Sequence, residues 1–218
     1  MRTLLYTATA LAAVALLPST AGAAVIATFS QTSSTNTVVA TDNSVTTNIV
    51  VDDAVTNIST FGGGGPISGA FFSLNSVSND AAQTVGGAVI QHYDGTFCFS
   101  SAVNCGGTNY LSGVFSDAAF GALGGPGLVV NVNNPPDSLT LTSDIIAPAD
   151  LQPPSSFSLA FTNLTPALSI DGSTINGFTA AFAGVVSAST LAVPEPVSLG
   201  LLGVGLLGLG LVRSRKTH

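Results

Sequence analysis

Ser156-Phe157-Ser158-Leu159-Ala160-Phe161-Thr162 alternates apolar with small or polar side chains at every step. A period of two marks a strand with one face on a core and the other in solvent, because successive side chains leave an extended backbone on opposite sides. The pattern recurs in both directions along the chain. Leu139 and Leu141 alternate with Ser138, Thr140 and Thr142, and Leu128, Val130 and Val132 flank Val129 and Asn131. Val45, Thr47, Ile49 and Val51 form another run, Phe97 and Phe99 bracket Cys98, and Phe178, Ala180, Phe182 and Val186 share a face.

Turn signals separate these runs: Gly62 to Pro66, Asp94-Gly95, Gly106-Gly107, Gly124 to Gly127, Asn134-Pro135-Pro136, Pro153-Pro154 and Asp171-Gly172. Short strands punctuated in this way predict a mainly β fold, an antiparallel, jelly-roll-like β-sandwich. Helix is scarce. The best candidates are Asp80 to Gln91 and Ser116 to Leu123, the second with Ser116 as N-cap, and internal glycine weakens both. No repeat of fixed period argues for a propeller or solenoid.

Charge narrows the function classes. The basic residues are Arg2, Arg213, Arg215 and Lys216, so the stretch from Ala24 to Val193 carries ten Asp and no Glu, Lys or Arg. Such a body repels nucleic acid and anionic membrane surfaces, which are bound mainly through Lys and Arg. No nucleic-acid partner is expected. Its abundant Val, Leu, Ile and Phe supply a core, and residues 24–190 suffice for one β-rich extracellular domain.

Both ends read as targeting segments. Arg2, an apolar run from Leu4 to Leu17, Pro18 and the small residues Ala21-Gly22-Ala23 follow the order of a signal peptide spanning 1–23, cut by signal peptidase after Ala23. Export places Cys98 and Cys105, the only cysteines, in an oxidising compartment and predicts a disulfide. Closing so short a loop is worth about 2.4 kcal/mol in the chain-entropy model.

The C-terminal segment, 191–218, has three parts. Val193-Pro194-Glu195-Pro196 is followed by an uncharged run, 197–212, and then by Arg213-Ser214-Arg215-Lys216-Thr217-His218. As a helix the run is about 24 Å long, somewhat short of a bilayer core of roughly 30 Å. It is read as one transmembrane helix, and Arg213, Arg215 and Lys216 act as a stop-transfer end that stays in the cytoplasm. Two prolines around Glu195 keep the backbone extended just outside the membrane, open to a processing enzyme.

This arrangement resembles the PEP-CTERM sorting signal of Gram-negative bacteria. The resemblance implies that Pro194, Glu195 and Pro196 are the recognition motif, that 197–212 is a transient membrane anchor, and that the partner is an exosortase, a transpeptidase-like membrane enzyme. It further implies a final place at the cell surface or in an extracellular matrix rich in exopolysaccharide. Some ice-binding proteins carry a similar tail, but their flat Thr-x-Thr ladders are matched here only by Thr140-Leu141-Thr142.

Catalytic motifs are weak. Gly62 to Gly65 has no Lys near it to form a phosphate loop, and no Gly-x-Ser-x-Gly elbow occurs. His92 is the only histidine of the body, and the chain has no Trp for stacking on sugars. The chain is therefore read as non-catalytic. Two alternatives stay open: a carbohydrate- or surface-binding adhesin using Tyr93, Tyr110 or exposed Asp and Asn, and a secreted hydrolase using Asp residues and His92. No cofactor or metal site is assigned. Calcium alone stays open, because Asp52-Asp53, Asp80, and Asp171 with Asn176 lie in or near turns.

Overall fold

The computed structural model describes residues 23–189, except 63, 87, 122–126 and 132–135. These fall in a unit bounded by Gly22–Thr190, and the other unit, Met1–Ala21 with Leu191–His218, lies outside the described residues. Alternation in sequence becomes alternation in burial. In the strand Gln152–Thr165, Phe157, Leu159 and Phe161 are buried, while Ala160 and Thr162 face solvent.

The strands are β1 (Ala23–Gln31), β2 (Val38–Asp42), β3 (Thr47–Phe61), β4 (Ile67–Ser78), β5 (Gln83–Val85), β6 (Ala88–Ala102) and β7 (Gly106–Phe120). They continue with β8 (Gly127–Asn131), β9 (Ser138–Thr142), β10 (Gln152–Thr165), β11 (Ile170–Asp171), β12 (Thr174–Ile175) and β13 (Phe178–Ser189). A 3₁₀ turn at Pro148–Asp150 precedes β10. Antiparallel ladders join β6 to β4, β4 to β3, β3 to β1, β1 to β13, β13 to β10, β10 to β8, β8 to β7, and β7 back to β6. Eight strands thus close a ring. The antiparallel β architecture is as expected, but one continuous sheet replaces the two separate sheets of a sandwich, and closure removes most strand edges.

Phenylalanine fills the ring. Of the twelve in the chain, eleven are buried, and this is what lets a sequence so poor in charge pairs hold together. Phe29 is central, with ring centroids 4.5 Å from Phe99, 5.5 Å from Phe72 and 6.3 Å from Phe182. Its ring needs space on β13, which Gly184 provides: a Cβ there would collide with the Phe29 ring and with the Ser158 carbonyl. The outward residues are mainly Ser, Thr, Asn, Asp and scattered Val. That is the reverse of a transmembrane barrel, whose outer face is an apolar band.

Several sequence expectations need correction. Asp80 to Gln91 is no helix: Val85 pairs with Ala88, and Gly86 adopts φ +60° in the tight turn of the β5–β6 hairpin. Residues 116–120 belong to β7, and the Ser116 hydroxyl lies 2.6 Å from that of Ser138 in place of an N-cap; Leu123 lies outside the described residues. Asp94-Gly95 is not a turn but the interior of β6. Gly95 is there because a Cβ would meet the Asn75 carbonyl at 2.5 Å. Pro153-Pro154 lies inside β10. Val45 is exposed ahead of β3, while Thr47, Ile49 and Val51 face the core. Gly106-Gly107 opens β7, and the β6–β7 turn is made by Val103-Asn104-Cys105 just before it; the turn at Asp171-Gly172 joins β11 to β12, as expected.

Candidate functional site

Ala23 pairs with Ser189 across the β1–β13 ladder, and Ser189 also faces Gln152 of β10. The chain therefore enters its first strand and leaves its last at the same pole of the barrel. The β6–β7 hairpin closes at that pole too, with Ala102 opposite Gly106. The Cys98–Cys105 disulfide joins β6 to the hairpin's turn, with Cα atoms 5.9 Å apart. Asp53, held at φ +45° in a bulge of β3, ties the hairpin to the barrel wall. Both its carboxylate oxygens accept the Asn104 N–H, at 2.8 and 3.0 Å, and Ser73 donates to it at 2.9 Å.

Outward residues of β3, β4, β6, β7 and β9 line a groove of about 500 Å³. The ladders align Val50, Asn75, Thr96, Val114 and Thr140 in one row across all five strands. A neighbouring row holds Ser73, Cys98, Ser112 and Thr142, with the last two hydroxyls 2.8 Å apart.

His92 of β6 is the other feature singled out by the sequence. Its Nδ1 lies 2.8 Å from Asp117 Oδ1, and the Asp117 N–H donates to Asp94 Oδ1 at 3.0 Å. Asp117 holds φ +60° where β6 and β7 fall out of register. The depression beside the pair is lined by Asp80, Ala81, Gln83, Val85, Ile90, His92 and Asp117, so His92 meets carboxylates there and no hydroxyl or thiol nucleophile. Among the described residues no three His, Cys, Asp or Glu side chains gather into a metal-holding cluster. Asp53 spends its carboxylate on Asn104 and Ser73, and Asn176 accepts the Ser169 N–H at 2.6 Å.

Tyr93 is not available to a ligand. It is 1% exposed, and its hydroxyl donates to Gln91 Oε1 at 3.1 Å. Burial pushes the phenol well above its ordinary pKa. The same Gln91 oxygen accepts the Ile175 N–H at 3.1 Å, while its amide donates to the Asp80 carbonyl at 2.8 Å. This buried network fastens the β11–β12 hairpin to the pole away from the chain ends. Sequence reading missed it, since Gln91 breaks no pattern that would mark it as internal. Tyr110 is half-buried, its ring 6.3 Å from that of Phe61.

Pro194, Glu195, Pro196, the run 197–212, and Arg213, Arg215 and Lys216 lie outside the described residues, as do residues 1–22 of the expected signal peptide, 1–23. Among the described residues no helix is long and apolar enough to cross a membrane. The body's last strand ends five residues before Pro194. The described residues thus form a closed antiparallel barrel, which is followed in sequence by Pro194-Glu195-Pro196, an uncharged run and a basic end, a β-barrel body with a three-part C-terminal tail.

Residues 192–216 match the PEP-CTERM protein-sorting motif, so the chain is a carrier of that motif. The motif marks a sorted, extracytoplasmic protein and implies processing by an exosortase. The match covers the tail and assigns nothing to the barrel. No curated protein and no solved structure matches the chain.

Proposed function

We propose that the barrel is the non-catalytic cargo of this sorting route, presented at the cell surface or in an extracellular matrix and associated there with exopolysaccharide. In this reading signal peptidase cuts after Ala23 and the run 197–212 anchors the precursor, with Arg213, Arg215 and Lys216 left in the cytoplasm. An exosortase then recognises Pro194, Glu195 and Pro196. The match at residues 192–216 carries the reading. Two features of the body support it: a disulfide, which belongs outside the reducing cytoplasm, and a sequence without Lys or Arg between residues 3 and 212.

Cell fractionation in strains with and without the exosortase tests the proposal. The protein is expected in the outer or extracellular fraction of the first and in the inner membrane of the second. An identical distribution in both strains contradicts it.

The adhesin reading remains as a second proposal because of the outer groove. Tyr93 takes no part in it, being buried.

A further inference from the structure

We propose that the groove across β3, β4, β6, β7 and β9 binds a neutral polysaccharide strand. The inference rests on the surface-exposed reading above for where such a ligand is met, and not for the binding itself.

Val50, Asn75, Thr96, Val114 and Thr140 are all exposed and all uncharged. Strand spacing of about 4.8 Å makes their row about 19 Å long, a linear track along the groove, with each step comparable to one sugar unit. Asn75, Thr96 and Thr140 each offer both donor and acceptor groups. Among the described residues none of the three spends its side chain on a hydrogen bond, whereas Ser73, Ser112 and Thr142 in the next row are already engaged. Val50 and Val114 add methyl surface at intervals along the row, suited to the C–H faces of a sugar ring.

Charge selects among polymers. With Asp52 lining the groove and no Lys or Arg in the body, a polyanion finds repulsion and no partner. A protein partner usually anchors through buried aromatic or Arg contacts, and this groove exposes neither. Free hydroxyls and an amide interrupted by small apolar patches fit a neutral, hydroxyl-rich chain.

The test is affinity electrophoresis of the full chain, solubilised in detergent, through gels containing hydroxyethyl cellulose, dextran, galactomannan or alginate. Retardation is expected in at least one neutral gel and not in alginate. Thr96→Arg should weaken it by roughly tenfold, and Thr60→Arg, on β3 outside the groove, should leave it unchanged. If Thr96→Arg lowers the melting temperature, the double variant Asn75→Ala with Thr140→Ala replaces it, with the same loss expected. No retardation in any neutral gel, retardation by alginate alone, or equal loss in Thr60→Arg overturns the proposal. The exported wild type is fractionated in parallel, so failed binding with intact localisation removes the groove and leaves the sorting account standing.

Discussion

The Asn104 N–H donates to both carboxylate oxygens of Asp53, across fifty-one residues of sequence, and so ties the tip of the disulfide hairpin to a bulge in the neighbouring wall. Charge-assisted bonds of this kind are stronger than neutral ones. Asp53→Ala loses them and also places alanine at φ +45°, so it should cost about 2 kcal/mol in urea unfolding. Asp53→Asn keeps one acceptor oxygen and a residue type that tolerates this φ, and should cost clearly less. Equal losses would show that the acceptor oxygen and the φ tolerance kept by Asn contribute nothing, and no loss in either variant would remove the tie as a source of stability.

The disulfide beside this tie closes a short loop and should add about 2.4 kcal/mol. Alkylation of the native protein without reductant should leave its intact mass unchanged. Alkylation after reduction should label both Cys98 and Cys105, and the reduced protein should melt earlier. Two labelled cysteines without reductant would remove the bond from the account.

Tyr93 gives stability an alkaline limit. Its folded pKa is raised, so the folded state holds the proton where the unfolded chain releases it. Its contribution is complete below the ordinary tyrosine value of about 10 and is lost as pH rises above it. There the slope should approach about 1.4 kcal/mol per pH unit from this group. Tyr93→Phe should flatten that slope, although it also loses the bond to Gln91. An unchanged slope would mean the phenol ionises freely in the fold.

Ten aspartates with no Lys or Arg repel one another, so added salt should raise the melting temperature. No acidic cluster gathers three ligands among the described residues. Calcium and magnesium should therefore act alike at matched ionic strength, and a saturable gain with calcium alone would reveal a specific site.

The strands around Phe157, Leu139, Phe97 and Phe178 were legible because each has a wet face and a dry face, and alternation records that directly. Barrel closure was not, since it depends on which edges pair, as where β8 bridges β10 and β7, and pairing leaves no local mark. Asp94-Gly95 misled because glycine serves close approach between strands as well as turns. The Asp80 to Gln91 segment misled because its strands are short and the turn at Gly86 that pairs them carries no flanking alternation to mark it. The tail was readable from its three parts alone. The groove was not, because its row takes one residue from each of five strands separated by long stretches of chain, from Val50 to Thr140.

The central claim is that Pro194-Glu195-Pro196 is what the sorting enzyme recognises. Truncation after Val193 should release the barrel as a soluble exported protein, whereas replacing all three motif residues with Ala leaves the apolar run and its basic stop in place. The direct measurement compares the parent and this triple-alanine variant on a gel of fractionated cells. The variant should stay in the inner membrane and keep the mass of its tail, while the parent loses that mass and leaves. Processing and localisation of the variant identical to the parent would contradict the claim, reducing the tail to a plain anchor.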